Sequence, residues 1–140
     1  MSKTEVSLKL NHSGALSILA AGVAKASEMK QPQCISVVDS GGHLVAFVRM
    51  DGAFYMSQET SVRKARTAAC YGEPTGDLPE GIDLKLALGT DGQRINLPGG
   101  LPIIVDGHCI GGIGVGSGTG EQDKEVAATA LLAIPNSQPF

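Results

Sequence analysis

The glycines set the first constraint. Nineteen residues of 140 are glycine, about twice the usual share. They crowd the stretch from Gly99 to Gly120, interleaved with Ile103-Ile104-Val105, Ile110, Ile113 and Val115. Glycine among β-branched residues points to strands and tight turns, not to disorder. Aromatic residues make up only 4%, with no tryptophan. The core must then be built from Ala, Val, Ile and Leu, and stacking on nucleic-acid bases is disfavoured.

The run from Gly111 to Gly120 imitates a nucleotide loop but fails its tests. Counted from Gly112, the sixth position of Gly-x-Gly-x-x-Gly is Ser117; counted from Gly114 it is Thr119. No Gly-Lys dipeptide exists for a Walker A loop, and Ser117 is not in a Gly-x-Ser-x-Gly frame. No nucleotide cofactor is expected. A net charge of -3 argues against a nucleic-acid partner. The longest uncharged apolar run, Ile18 to Ala24, is far short of the ~20 residues of a membrane helix. The first residues, Met1 to Glu5, lack the plan of a signal peptide. These readings predict a soluble, cytoplasmic, single domain over residues 1–140, long enough to bury a core without a staple.

Cys34, Cys70 and Cys109 form no Cys-x-x-Cys pair, so each reads as a small buried apolar residue. His12, His43 and His108 show no metalloprotease spacing. His108, beside Asp106-Gly107, reads as a surface residue.

Along the chain, Asn11 caps a helix running through Ala15, Leu16, Ile18, Leu19, Val23 and Ala26 and ended by Gln31-Pro32. Ile35–Asp39 and Leu44–Arg49 form a hairpin across Ser40-Gly41-Gly42. A second helix fits Tyr55–Ala69. Residues 72–96 resist reading, apart from a short helix at Ile82–Leu88. Leu101–Val105 and His108–Val115 pair across the strong hairpin signal Asp106-Gly107. Thr119 then caps the last helix, which runs to Pro135, with Gln122 completing a capping box. The expected class is α/β (α+β): an antiparallel sheet of about five strands flanked by helices.

Four ordered motifs carry a resemblance. They are Val37-Val38-Asp39-Ser40-Gly41-Gly42-His43-Leu44; Arg49-Met50-Asp51-Gly52-Ala53; Lys64-Ala65-Arg66-Thr67-Ala68-Ala69; and the stretch from Pro98 through Ile110-Gly111-Gly112-Ile113-Gly114-Val115 to Gly120-Glu121-Gln122-Asp123. Together they resemble the GlcG/HbpS-like family, also called the haem-degrading or DUF336 family, which includes the C-terminal domain of PduO proteins. The resemblance implies a profilin-like fold and a homo-oligomer. Members include haem-binding and redox-sensing proteins, so haem is a candidate cofactor.

The candidate site residues are few. Gly116, Ser117, Gly118 and Thr119 lead into a helix, whose free N–H groups can hold a carboxylate or phosphate; the alternative is a plain capping loop. Arg66 can grip a carboxylate at two points or brace the fold through Asp39 or Asp123. Asp39 is either a ligand contact or an Asx-turn residue. Glu121, Asp123 and His43 are candidate acid–base groups, against which stand helix capping for the acids and an exposed strand end for His43. His12 and His43 are candidate axial haem ligands, and no other metal site is read. Two functions remain open, with an assembly role behind them. One is a binding protein for haem or a small anionic metabolite. The other is an acid–base hydrolase or isomerase of a small carboxylated catabolic intermediate, such as an aromatic-degradation product.

Overall fold

The computed structural model describes residues 2–140. Its elements are α1 (His12–Glu28), β1 (Cys34–Asp39), β2 (Leu44–Arg49), α2 (Ser57–Tyr71), α3 (Ile82–Gly89), β3 (Gly100–Val105), β4 (His108–Gly116) and α4 (Gly120–Leu131). The strands form one antiparallel sheet in the order β2-β1-β4-β3. It has four strands, not about five. Between α2 and β3, the left-handed glycines Gly72, Gly76, Gly81 and Gly92 break any pairing run, and only α3 forms. The last helix stops at Leu131, short of Pro135, and α2 starts and ends two residues later than the sequence indicates.

Strand alternation divides the sheet into two unlike faces. On one face Ile35, Val37, Ile113 and Val115 join Ile18, Val126 and Leu131 in the main core, beneath α1 and α4. On the other face β4 presents Gly112, Gly114 and Gly116. A side chain at Gly114 would begin 1.8 Å from the Ser61 carbonyl oxygen, and one at Gly112 would begin 2.3 Å from that of Ala65. The glycines therefore let α2 lie with its backbone against the sheet. That explains their alternation with Ile113 and Val115, and it explains why α2 buries small residues: Ser57, Ser61, Ala65 and Ala68.

The β3–β4 turn has both central residues at positive φ, Asp106 at 50° and Gly107 at 77°. That is the primed turn whose twist suits a hairpin. Asn11 and Thr119 cap α1 and α4 through their side chains, the latter in a full capping box. Of the three cysteines only Cys34 is buried; Cys70 is exposed and Cys109 half-buried. Cys70 falls at the end of α2, beyond the face that meets the sheet. His108 is exposed, as its turn position implies.

Candidate functional site

A charged pair lies between α2 and α4. The Lys64 ammonium donates to the Val115 carbonyl at 2.7 Å and to Asp123 Oδ2 at 3.0 Å. The two side chains are only 6% and 4% exposed. Asp123 Oδ1 accepts from the Gly118 N–H at 3.0 Å. Gly99, at φ 118°, leaves the room this pair needs: a side chain there would begin 2.8 Å from Asp123 Cβ. Asp123 thus ties the loop, α4 and α2 together. Its partner is Lys64, not Arg66. Sequence reasoning passed over Lys64, although it stands seven residues from Ser57, on the helical face that also carries Ser61 and Ala68.

The loop before α4 is braced from within. Gly118 N–H goes to Asp123, Thr119 N–H goes to Gln122 Oε1, and Gln122 N–H goes to Thr119 Oγ1. Ser117, at φ 97°, accepts from Phe54 N–H and donates to Ser57 Oγ. These bonds engage the Gly118, Thr119 and Gln122 N–H groups and hold the loop against α4. The Gln33 side-chain amide, fully buried next to Gly118, has no partner among the described residues. Glu121 is exposed in the first turn of α4.

A second cluster forms around the β1–β2 turn. Asp39 Oδ1 accepts from the backbone N–H of Gly41 at 2.9 Å and of His43 at 3.0 Å, the Asx-turn arrangement. Partial burial pushes the Asp39 carboxyl up, the largest single influence. The His43 and Gly41 N–H groups and the His43 imidazole together outweigh it and hold the carboxyl below its ordinary value. His43 Nδ1 lies 3.3 Å from the same oxygen. The carboxylate therefore engages one ring nitrogen and leaves Nε2 without a protein partner among the described residues.

His12 and Asp39 line one depression of about 310 Å³ with Leu10, Leu44 and Val45. Asp39 and His43 line a second, of about 340 Å³, with Leu8 and Ile110. Lys9 borders both. Shared Lys9 and Asp39 make the two depressions neighbours along one grooved face, with the His12 imidazole in the first and that of His43 in the second. Glu121 and Asp123 line neither part. Asp39 thus borders both depressions, His12 one and His43 the other, and the loop and the α4 carboxylates lie elsewhere. Arg66 stands across the turn from this groove: its Nε donates to the Gly42 carbonyl at 2.9 Å and its Nη1 to Gln93 Oε1 at 2.8 Å. The apolar walls could not be assembled from sequence, because Leu8, Leu44 and Ile110 belong to three separate segments.

Among the described residues there is no cluster of three or more His, Cys, Asp or Glu side chains able to hold a metal ion. Among the described residues no helix is long and apolar enough to cross a membrane.

Comparison with known proteins agrees with this architecture. A family model described as "Haem degrading protein HbpS-like" matches residues 10–132. A 15.0 kDa protein encoded in the dhaT-dhaS intergenic region of Citrobacter freundii is 38% identical over 136 residues, covering 94% of this chain and 96% of that protein. Protein GlcG of Escherichia coli strain K12 is 40% identical over 114 residues, covering 81% and 84%. Among solved structures, Klebsiella pneumoniae protein ORFY superposes with a TM-score of 0.89 at 33% identity, covering 95% of each chain. A PduOC:haem complex superposes with a TM-score of 0.86 at 29% identity, covering 95% of this chain and 99% of that one.

Proposed function

The chain belongs to the HbpS-like family, and from that premise we propose that it is a binding protein for a tetrapyrrole, taking haem in the groove between His12 and the Asp39–His43 turn. The observation that carries this reading is a pair of adjoining, apolar-walled depressions that share Asp39, one lined by His12 and the other by His43. A bound haem would supply an iron that accepts a nitrogen ligand from the protein. His43 suits that role, because Asp39 fixes the ring through Nδ1, the carboxylate–histidine arrangement that orients a metal ligand. His12, in the first turn of α1, is the second candidate. Leu8, Leu44 and Ile110 would contact the macrocycle. A solved haem complex with this fold adds support.

The groove is open, and His43 is 83% exposed on its own chain. We infer that a second copy covers it. Leu8 and Leu44, exposed on its walls, offer that copy apolar surface. Free thiols at all three cysteines suit a reducing compartment such as the cytoplasm. The acid–base alternative gains less support. Asp123 is committed to Lys64, and Glu121 lies outside the groove.

The test is an absorbance titration of haem into apo-protein. Wild type should saturate with a shifted Soret band, and His43→Ala or His12→Ala should lose or displace that band while remaining folded. An unchanged band and affinity in both single variants and in the double variant would end the assignment. Light scattering checks the second copy: Leu8→Glu/Leu44→Glu should lower the assembled mass, and an unchanged mass would refute it.

A further inference from the structure

Beyond the haem groove, we propose that Arg66 and Arg94 build a second site, a cleft for the oxyanion of a small carboxylate or phosphate ester, with Cys70 at its rim. The cleft encloses about 230 Å³ and is lined by Ser40, Gly41, Gly42, both arginines and the exposed Cys70. It meets the haem groove only along the Ser40–Gly41 backbone.

Gln93 accepts a hydrogen bond from each of the two guanidinium groups. Its side-chain oxygen accepts from Arg66 Nη1, and its backbone oxygen accepts from Arg94 Nη1 at 3.4 Å. Arg66 Nε is fixed on the Gly42 carbonyl. Neither arginine has a carboxylate within 4.0 Å among the described residues. The contrast with neighbouring cations is plain: Arg63 pairs with Glu59 and Lys64 with Asp123. The chain has acids to spare, at net charge -3, yet leaves these two cations together. Asp39, the nearest acid in sequence to the turn, faces the haem groove and is taken by Gly41 and His43. A cleft lined by one sign of charge concentrates the opposite ion. A guanidinium whose other edge is already fixed binds an oxyanion with little further ordering. The volume lies below the roughly 300–1,000 Å³ of sites for drug-sized ligands, so the occupant is small.

Cys70 supplies the readout. Its alkylation by N-ethylmaleimide, followed peptide by peptide, should slow in inorganic phosphate or malonate relative to chloride at equal ionic strength. Arg94→Gln touches only the Gln93 carbonyl and should weaken the protecting anion about tenfold; Arg66→Gln should do the same. A free small acid is the occupant if phosphate or malonate protects. A propionate reaching over from bound haem is the occupant if only haem protects, its dimethyl ester does not, and Arg94→Gln removes the effect. No protection by any of these probes, or protection unchanged in both variants, overturns the site. Because the Soret titration reads the haem groove separately, the two proposals can fail independently.

Discussion

Replacing Asp123 by asparagine should cost the protein a large part of its stability. The substitution keeps the size of the side chain and leaves Oδ1 able to accept from Gly118 N–H. It removes the charge facing Lys64, whose ammonium stays buried with the Val115 carbonyl as its remaining partner. Breaking a buried pair from one side costs about 3–5 kcal/mol, because the surviving charge is left uncompensated. Asp123→Ala also loses the loop bond, adding about 1 kcal/mol. Against a total of about 5–15 kcal/mol, the asparagine variant should unfold at clearly lower urea. Its Tm should fall by about 10 °C, at roughly 3 °C per kcal/mol for a chain this size. The double variant Lys64→Met/Asp123→Leu should recover much of the loss, since matched apolar replacements of buried pairs are often tolerated. A coupling energy below about 0.5 kcal/mol in that cycle, or an Asp123→Asn cost under about 1 kcal/mol, would refute the brace. Asp123 would then be free for other chemistry.

Three further outcomes follow from the geometry. Gly114→Ala should cost about 3 kcal/mol or more, as overpacking against the α2 backbone forces helix and sheet apart; urea unfolding reads it directly. Asp39, held below its ordinary value, binds fewer protons folded than unfolded. Its contribution is therefore fully present above about pH 4 and is lost as pH falls through the folded value. Asp39→Asn should accordingly flatten the acid limb of the stability–pH curve, and an unchanged limb would count against the turn's electrostatics. Gln33→Leu should raise stability by about 1 kcal/mol, since it removes an unpartnered buried amide; a loss of that size would mean that something bonds the amide.

Local signals were legible because their causes are local. Asn11, the Thr119–Gln122 box and Asp106-Gly107 act within a few residues of themselves, and the structure keeps each at its expected place. The alternation of Gly112 and Gly114 with Ile113 and Val115 could be read as strand, but not as a seat for α2. That meaning depends on which helix covers which face. Asp123 illustrates the same limit: its sequence position fits a capping acid, while its partner is 59 residues away. Residues 72–96 were opaque because α3 buries none of its residues, so no periodic apolar face marks it.

The most direct measurement of the central claim is hydrogen exchange, followed by mass spectrometry, with and without haem. The account predicts slowed exchange at residues 8–12 and 39–45, the two walls of the groove, with little change in the loop of residues 116–120. Protection confined to that loop, or to α3, would contradict the groove as the haem site.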